Sequence, residues 1–179
     1  MIRALRLLSR LAVLGFAAWL LAAWFIDRAD PPPQIQATIE GEIDHILIEK
    51  SARRMTLFQG GQPVRVYRIA LGFAPEGTKV RQGDGKTPEG TFRIDRRNPQ
   101  SSYHLSLGLD YPRATDIERA RAGGYSPGGD IFIHGQPNRL PDLVRVKGDW
   151  TAGCIAVTNP EMREIWAVTP IGTMVEIRA

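Results

Sequence analysis

Ile131-Phe132-Ile133-His134-Gly135 and, further along, Trp150-Thr151-Ala152-Gly153-Cys154-Ile155 are the stretches on which the reading of this chain turns. The first opens with a brief, fully apolar run, the pattern of an inner strand covered on both faces. It ends in a histidine, where the sheet holds a residue rigid yet leaves its tip open to solvent. The second sets a cysteine directly after a glycine, where the missing side chain lets another molecule approach the backbone.

Working outward, short strand-like runs dominate. Ile43–Glu49 and Met55–Phe58 are β-rich, and Gly60-Gly61 supplies a turn before Val64–Leu71, so residues 55–71 read as a hairpin. Thr91–Asp95 and Tyr103–Leu107 alternate, and Thr173–Arg178 closes the chain with Val175 and Ile177 facing one way. Turn-rich pieces, 72–90 and 122–129, separate them. One helix is well marked. Thr158 and Glu161 have capping-box spacing, and a cap at Asn159 would instead put Pro160 at the first helical position. Met162, Ile165, Trp166 and Thr169 then share a face, and Pro170 ends the element. Ala114–Ala122 is a candidate second, mostly polar helix. The expectation is a mainly β sandwich or closed barrel with one or two short helices.

The +4 net charge and pI near 9.6 raise a nucleic-acid reading, but Arg3, Arg6, Arg10 and Arg28 against Asp27 account for +3 of it. The body is close to neutral and has no basic run interleaved with aromatics, so nucleic acid is set aside. Those arginines flank Leu11–Ile26, an unbroken apolar stretch of 16 residues. It is slightly short of the ~20 residues that span a bilayer, and Leu7 and Leu8 extend it if Arg10 snorkels. A cleaved signal peptide is the alternative, but no A-x-A pattern occurs in the first 40 residues. Residues 1–28 are therefore read as an uncleaved transmembrane anchor and 29–38, with Pro31-Pro32-Pro33, as a stiff linker. Residues 39–179 are read as the folded body, exported beyond the cytoplasmic membrane.

A lone cysteine in an exported chain has no internal disulfide partner. A thiol becomes a good nucleophile when it loses its proton, and an imidazole can take that proton. Amides around Gly153 and Cys154 could meet the oxyanion formed when a carbonyl is attacked. Against this, His134 could be a satisfied strand-end residue and Cys154 core filler. Other features carry less. His104 could line a cleft or be a buried, hydrogen-bonded histidine, and His45 reads as structural. A zinc site from His104, His134, Cys154 and a carboxylate lacks any short-spaced ligand pair. Gly83-Asp84-Gly85-Lys86-Thr87 echoes a phosphate loop without its full spacing or following helix. Arg96-Arg97 and Arg119/Arg121 read as solvated surface, and Trp166 as packing. Trp150 is close enough in sequence to Cys154 to border its pocket.

The span from His134-Gly135 to Thr151-Ala152-Gly153-Cys154-Ile155 resembles the signature of the L,D-transpeptidase catalytic domain (YkuD-type) family, His-Gly followed by Ser/Thr-x-Gly-Cys. Lys86-Thr87-Pro88-Glu89-Gly90-Thr91-Phe92 is similar to the family's TPxG-x-aromatic segment, and Tyr103–Leu107 and Tyr111-Pro112 to one branch of it. The resemblance runs from about Ile43 to Ile177. It implies an L,D-transpeptidase-like β-rich fold in which Cys154 attacks the carbonyl of an L-centre to D-centre bond in a tetrapeptide stem of peptidoglycan. The thioester passes to an amine or to water. His134 would be the base, Gly135 would orient its ring through the backbone carbonyl, Gly153 would supply an oxyanion amide, and Thr151, Trp150 and His104 would contact substrate. No metal or cofactor is implied, and a carbapenem would acylate Cys154. Two departures stand out: Ala156 where many members carry Arg or Asn, and Ala152 where many carry a second His. They leave transfer and hydrolysis both open, the latter on stem peptides or wall-anchored proteins. A non-catalytic wall-binding module is the reading from another class.

Overall fold

The computed structural model describes residues 15–16, 26–28 and 39–179. Among the described residues the elements with defined bounds follow in chain order. The strands are β1 (Ile26–Arg28), β2 (His45–Glu49), β3 (Arg54–Gln59), β4 (Gln62–Arg68), β5 (Gly90–Asn98) and β6 (Ser106–Leu109), then β7 (Phe132–His134), β8 (Val144–Val146), β9 (Ile155–Ala156) and β10 (Met174–Arg178). Helix α1 (Ala114–Ala122) lies between β6 and β7, and α2 (Asn159–Val168) between β9 and β10. Eight strands form one sheet in the order β4-β3-β2-β10-β5-β6-β7-β9, parallel only at β2/β10 and β7/β9. The sheet curls until its ends meet. Ala70, just past β4, exchanges both backbone hydrogen bonds with Ala156 of β9, each at 2.9 Å. The expected sandwich or barrel is thus a curled sheet, closed by single bridges rather than by a full strand pair.

Alternation drives that curl. Phe92 and Ile94 of β5, Val175 and Ile177 of β10, and Ile46 and Ile48 of β2 point inward with almost no exposure. Leu107, Leu109, Ile133 and Ile155 continue the layer toward β9, and Met162 and Ile165 of α2 pack onto it. Each such side chain contributes about 1.5–3 kcal/mol by leaving water. The hairpin, the closing strand and both helices lie where the sequence places them. At α2 the cap is Thr158: its hydroxyl accepts from the Glu161 amide (3.4 Å), and the Glu161 carboxylate accepts from the Thr158 amide (2.7 Å). At α1 the Asp116 carboxylate closes the first turn on the Arg113 amide at 3.1 Å.

The reading of Tyr103–Leu107 as a strand needs correction. Strand β6 begins at Ser106, and His104 stands in the left-handed region at φ 69°. Side chains divert this backbone: Ser101 Oγ accepts from the Tyr103 amide (3.0 Å) and Asn138 Oδ1 from the His104 amide (2.7 Å). Strands β8 and β9 were not anticipated, being too short for a period to show. The expected anchor, apart from residues 15–16 and 26–28, and the linker lie outside the described residues. Among those described, no helix is long and apolar enough to cross a membrane, and Ile26–Arg28 pair antiparallel with β8.

Candidate active site

Strands β7 and β9 run side by side and parallel, Ile133 beside Ile155 and His134 beside Ala156. Because side chains alternate, His134, Ala156 and the residue two before it, Cys154, project from one face of this pair. The imidazole and the thiol are therefore diagonal neighbours across the pair.

His134 is 4% exposed. Its Nδ1 lies 2.7 Å from the Gly135 carbonyl oxygen, which can only accept. Nδ1 therefore carries the proton, and in the neutral ring Nε2 keeps a free lone pair. Gly135 must be a glycine, since an added Cβ would stand 2.6 Å from Asn159 Oδ1. Tyr103 packs on the imidazole with ring centroids 4.6 Å apart, and Trp150 meets its edge at 5.7 Å. Burial pushes the ring's pKa down to about 4, with the Gly135 carbonyl opposing.

Cys154 is half-buried. Its thiol donates to the Asp130 carbonyl at 3.3 Å rather than to the histidine. Burial raises the thiol pKa above its ordinary value, the Asp130 carboxylate adds to this, and the Phe132 amide and Lys79 oppose it. Both partners are therefore neutral at rest. No hydrogen bond joins the thiol to the imidazole here, and catalytic hydrogen bonds commonly tighten only when substrate binds.

The loop before Cys154 is set by Thr151, whose hydroxyl donates to the Cys154 carbonyl (2.7 Å) and accepts the Gly153 amide (3.1 Å). The Gly153 amide, expected to face an oxyanion, is thereby engaged. The Cys154 amide, with no acceptor among the described residues, is the donor left. Gly153 sits at φ 134°, and an added Cβ would fall 2.7 Å from the Lys86 carbonyl. Residue 153 therefore has to be a glycine.

Trp150 and Tyr103, with Asn138, Arg139, Leu140 and Val146, line a cleft of about 550 Å³. His104 lies outside it: its Cβ backs onto Gly135, and its Nε2 is 3.3 Å from an Arg163 nitrogen. Its pKa is lowered by burial and then by Arg163, with Asp142 opposing. Tyr103 and Asp130 were not foreseen as site residues. Tyr103 could have been found from its place in the 103–107 motif. Asp130 acts through its backbone carbonyl, which no side-chain pattern reveals. Among the described residues no group of three His, Cys, Asp or Glu is gathered as for a metal.

A neutral imidazole at the end of β7, packed against Tyr103 and Trp150 of the cleft, and a thiol immediately before the parallel strand β9 make the type of site in which a cysteine can attack a carbonyl. The chain belongs to the L,D-transpeptidase catalytic domain family (YkuD), which it matches over residues 43–177. It is 33% identical over 128 residues to YafK of Escherichia coli (strain K12), covering 68% of this chain and 45% of that protein. The helical cell shape determining protein Pgp2 of Campylobacter jejuni superposes at TM-score 0.59 with 26% identity, covering 78% of this chain and 48% of that one. Bd1075 of Bdellovibrio bacteriovorus shares the fold at TM-score 0.54 and 24% identity, over 86% of this chain and 53% of that one. The chain spans about half the length of these relatives.

Proposed function

We propose that the chain is an L,D-transpeptidase-type acyl-transfer enzyme acting on tetrapeptide stems of peptidoglycan, with Cys154 as nucleophile and His134 as general base. The observation that carries this is the 2.7 Å contact of His134 Nδ1 with the Gly135 carbonyl, which leaves Nε2 unprotonated on the face that bears Cys154. In the proposed course Nε2 takes the thiol proton as Sγ bonds to the carbonyl carbon of the L-centre. The Cys154 amide meets the oxyanion. Collapse breaks the C–N bond, and His134 returns its proton to the departing D-alanine amine. An amine of a second stem, or water, then attacks the thioester, again giving its proton to His134, and the thiol is restored. Thiol, imidazole and backbone donors fill each role. We place the domain outside the cytoplasmic membrane, tethered by the apolar N-terminal segment.

A second reading is a cysteine hydrolase of the same fold. Ala156 is fully buried beside His134 and bonded to Ala70, so no polar side chain at that position holds an acceptor stem. The likeness to a protein named for determining helical cell shape accords with trimming of the wall. Purified muropeptides incubated with the full-length chain and resolved by mass spectrometry decide the matter. Crosslinked dimers support transfer, and trimmed monomers support hydrolysis. Neither product, together with no carbapenem adduct on Cys154, overturns the enzyme reading and favours a wall-binding module.

A further inference from the structure

A second cavity, about 140 Å³, adjoins the cleft, and Val146 lines both. It has room for about ten water-sized positions. Four cations line it, Arg53, Arg68, Arg145 and Lys147, against the one carboxylate of Asp149. That carboxylate is already committed. Its Oδ2 accepts from Arg53 Nε (3.1 Å) and Nη2 (2.8 Å), and its Oδ1 accepts from the Leu71 amide (2.9 Å).

Arg145 is 8% exposed. One terminal nitrogen donates to the Arg68 carbonyl at 2.9 Å, and the other to both oxygens of Glu161 at 2.9 and 3.0 Å. Its Nε–H is buried and has no acceptor. A native interior rarely leaves a charged donor in that condition, because burial removes water and nothing replaces it. The Arg68 and Lys147 side chains also lack partners among the described residues. Cationic donors thus surround a space large enough for an anionic group, with no free carboxylate to neutralise them.

The wall of the cavity continues to the candidate active site. Ala70, which lines it, exchanges both backbone hydrogen bonds with Ala156, two positions beyond Cys154. We propose that this cavity binds a carboxylate of the peptide occupying the cleft, with the exposed, unpaired Arg68 and Lys147 as its donors and the buried Arg145 guanidinium adding positive charge in the cavity wall. A guanidinium matches a carboxylate in plane and geometry, and the pairing is charge-assisted. Naming that peptide as an acidic stem rests on the function proposed above.

The test has two arms, each using the full-length chain. In the first, the ¹⁵N-labelled chain is titrated with glutarate, and the Arg145 Nε–H and Gly148 amide resonances are followed. Both are expected to shift and saturate, and Arg68→Gln/Lys147→Gln is expected to weaken binding about tenfold. No shift, an equal affinity in the double variant, or tighter binding of inorganic phosphate than of glutarate overturns the carboxylate site. In the second arm, turnover of tetrapeptide muropeptides is measured with free and with amidated side carboxylates. The double variant is expected to raise KM for the free acid about tenfold, to leave kcat in place, and to lose the preference over the amide. An unchanged KM overturns the inference. Glutarate binding without muropeptide turnover by the wild type upholds the anion site and overturns only the peptidoglycan reading.

Discussion

Replacing Thr151 with valine tests whether a single hydroxyl holds the loop that presents Cys154. Thr151 is buried, and its oxygen makes two bonds, donating to the Cys154 carbonyl at 2.7 Å and accepting the Gly153 amide at 3.1 Å. Valine keeps the branched shape and stiff χ1 of threonine but strips both bonds. A typical hydrogen bond contributes about 0.5–1.5 kcal/mol, and a buried polar group left without a partner costs about 1–3 kcal/mol. Two bonds, one of them at the half-buried Cys154, bring the loss to about 2–4 kcal/mol. In a domain of this size each kcal/mol moves Tm by about 2–4 °C, so Thr151→Val should melt about 5–15 °C below the wild type. Thr151→Ser keeps the hydroxyl and should lose far less. Thermal melts followed by circular dichroism provide the assay, and iodoacetamide labelling of Cys154 should quicken in the valine variant as the loop loosens. A valine variant melting with the wild type, or a serine variant falling equally far, would refute the clamp.

Four further outcomes are expected. An unfolded histidine takes its proton near 6.5, whereas buried His134 refuses it until about 4. Its contribution to stability is thus complete above pH 6.5 and is lost as pH falls toward 4, about 3 kcal/mol in all; urea titrations of His134→Gln should be flatter across that window. Asp84, which accepts from Lys79 and from the Val80, Arg81 and Lys86 amides, is held near 2. Its stabilisation is present above pH 4 and lost as pH falls through 2, about 2 kcal/mol that Asp84→Asn should already lack at neutral pH in urea. Phe92→Ala, at the centre of the sheet, should cost about 3–5 kcal/mol in the same assay. Gly153→Ala should abolish carbapenem labelling of Cys154, read by intact mass, because its Cβ has nowhere to go beside the Lys86 carbonyl.

Much of this architecture was legible because the period of a strand or helix is written in single residues. Phe92/Ile94 and Val175/Ile177 alternate in sequence and point inward together, and the capping-box spacing of Thr158 and Glu161 narrows the start of α2 to Thr158 or Asn159, of which the structure takes Thr158. Short-range signals failed where tertiary contacts decide. Two- and three-residue strands such as β9 and β8 carry no period, and their pairings come from distant partners, β7 with a single bridge to Ala70 in one case and Ile26–Arg28 in the other. Tyr103–Leu107 alternates like a strand, yet Ser101 and Asn138 capture the amides of Tyr103 and His104, and His104 lies outside the cleft. At the site, the cysteine and histidine were visible by type and spacing. The acceptor of the thiol proton, the Asp130 carbonyl, was not, because every residue has a carbonyl.

That carbonyl bears on how the thiol can be activated. Burial shifts the two groups in opposite directions, raising the thiol and lowering the imidazole, so a thiolate–imidazolium pair is disfavoured twice over. Each tenfold change in acidity is about 1.4 kcal/mol, and a ring that titrates near 4 is a reluctant acceptor for a thiol held above its ordinary range. Proton transfer in advance of substrate is therefore costly, whereas transfer as the Sγ–carbon bond forms is not, since the developing charge then passes to the carbonyl oxygen and its backbone donor. The thiol proton is donated to the Asp130 carbonyl in this structure, the arrangement of a neutral thiol. A protonated thiol is also the form least open to oxidation, because the thiolate is the reactive species.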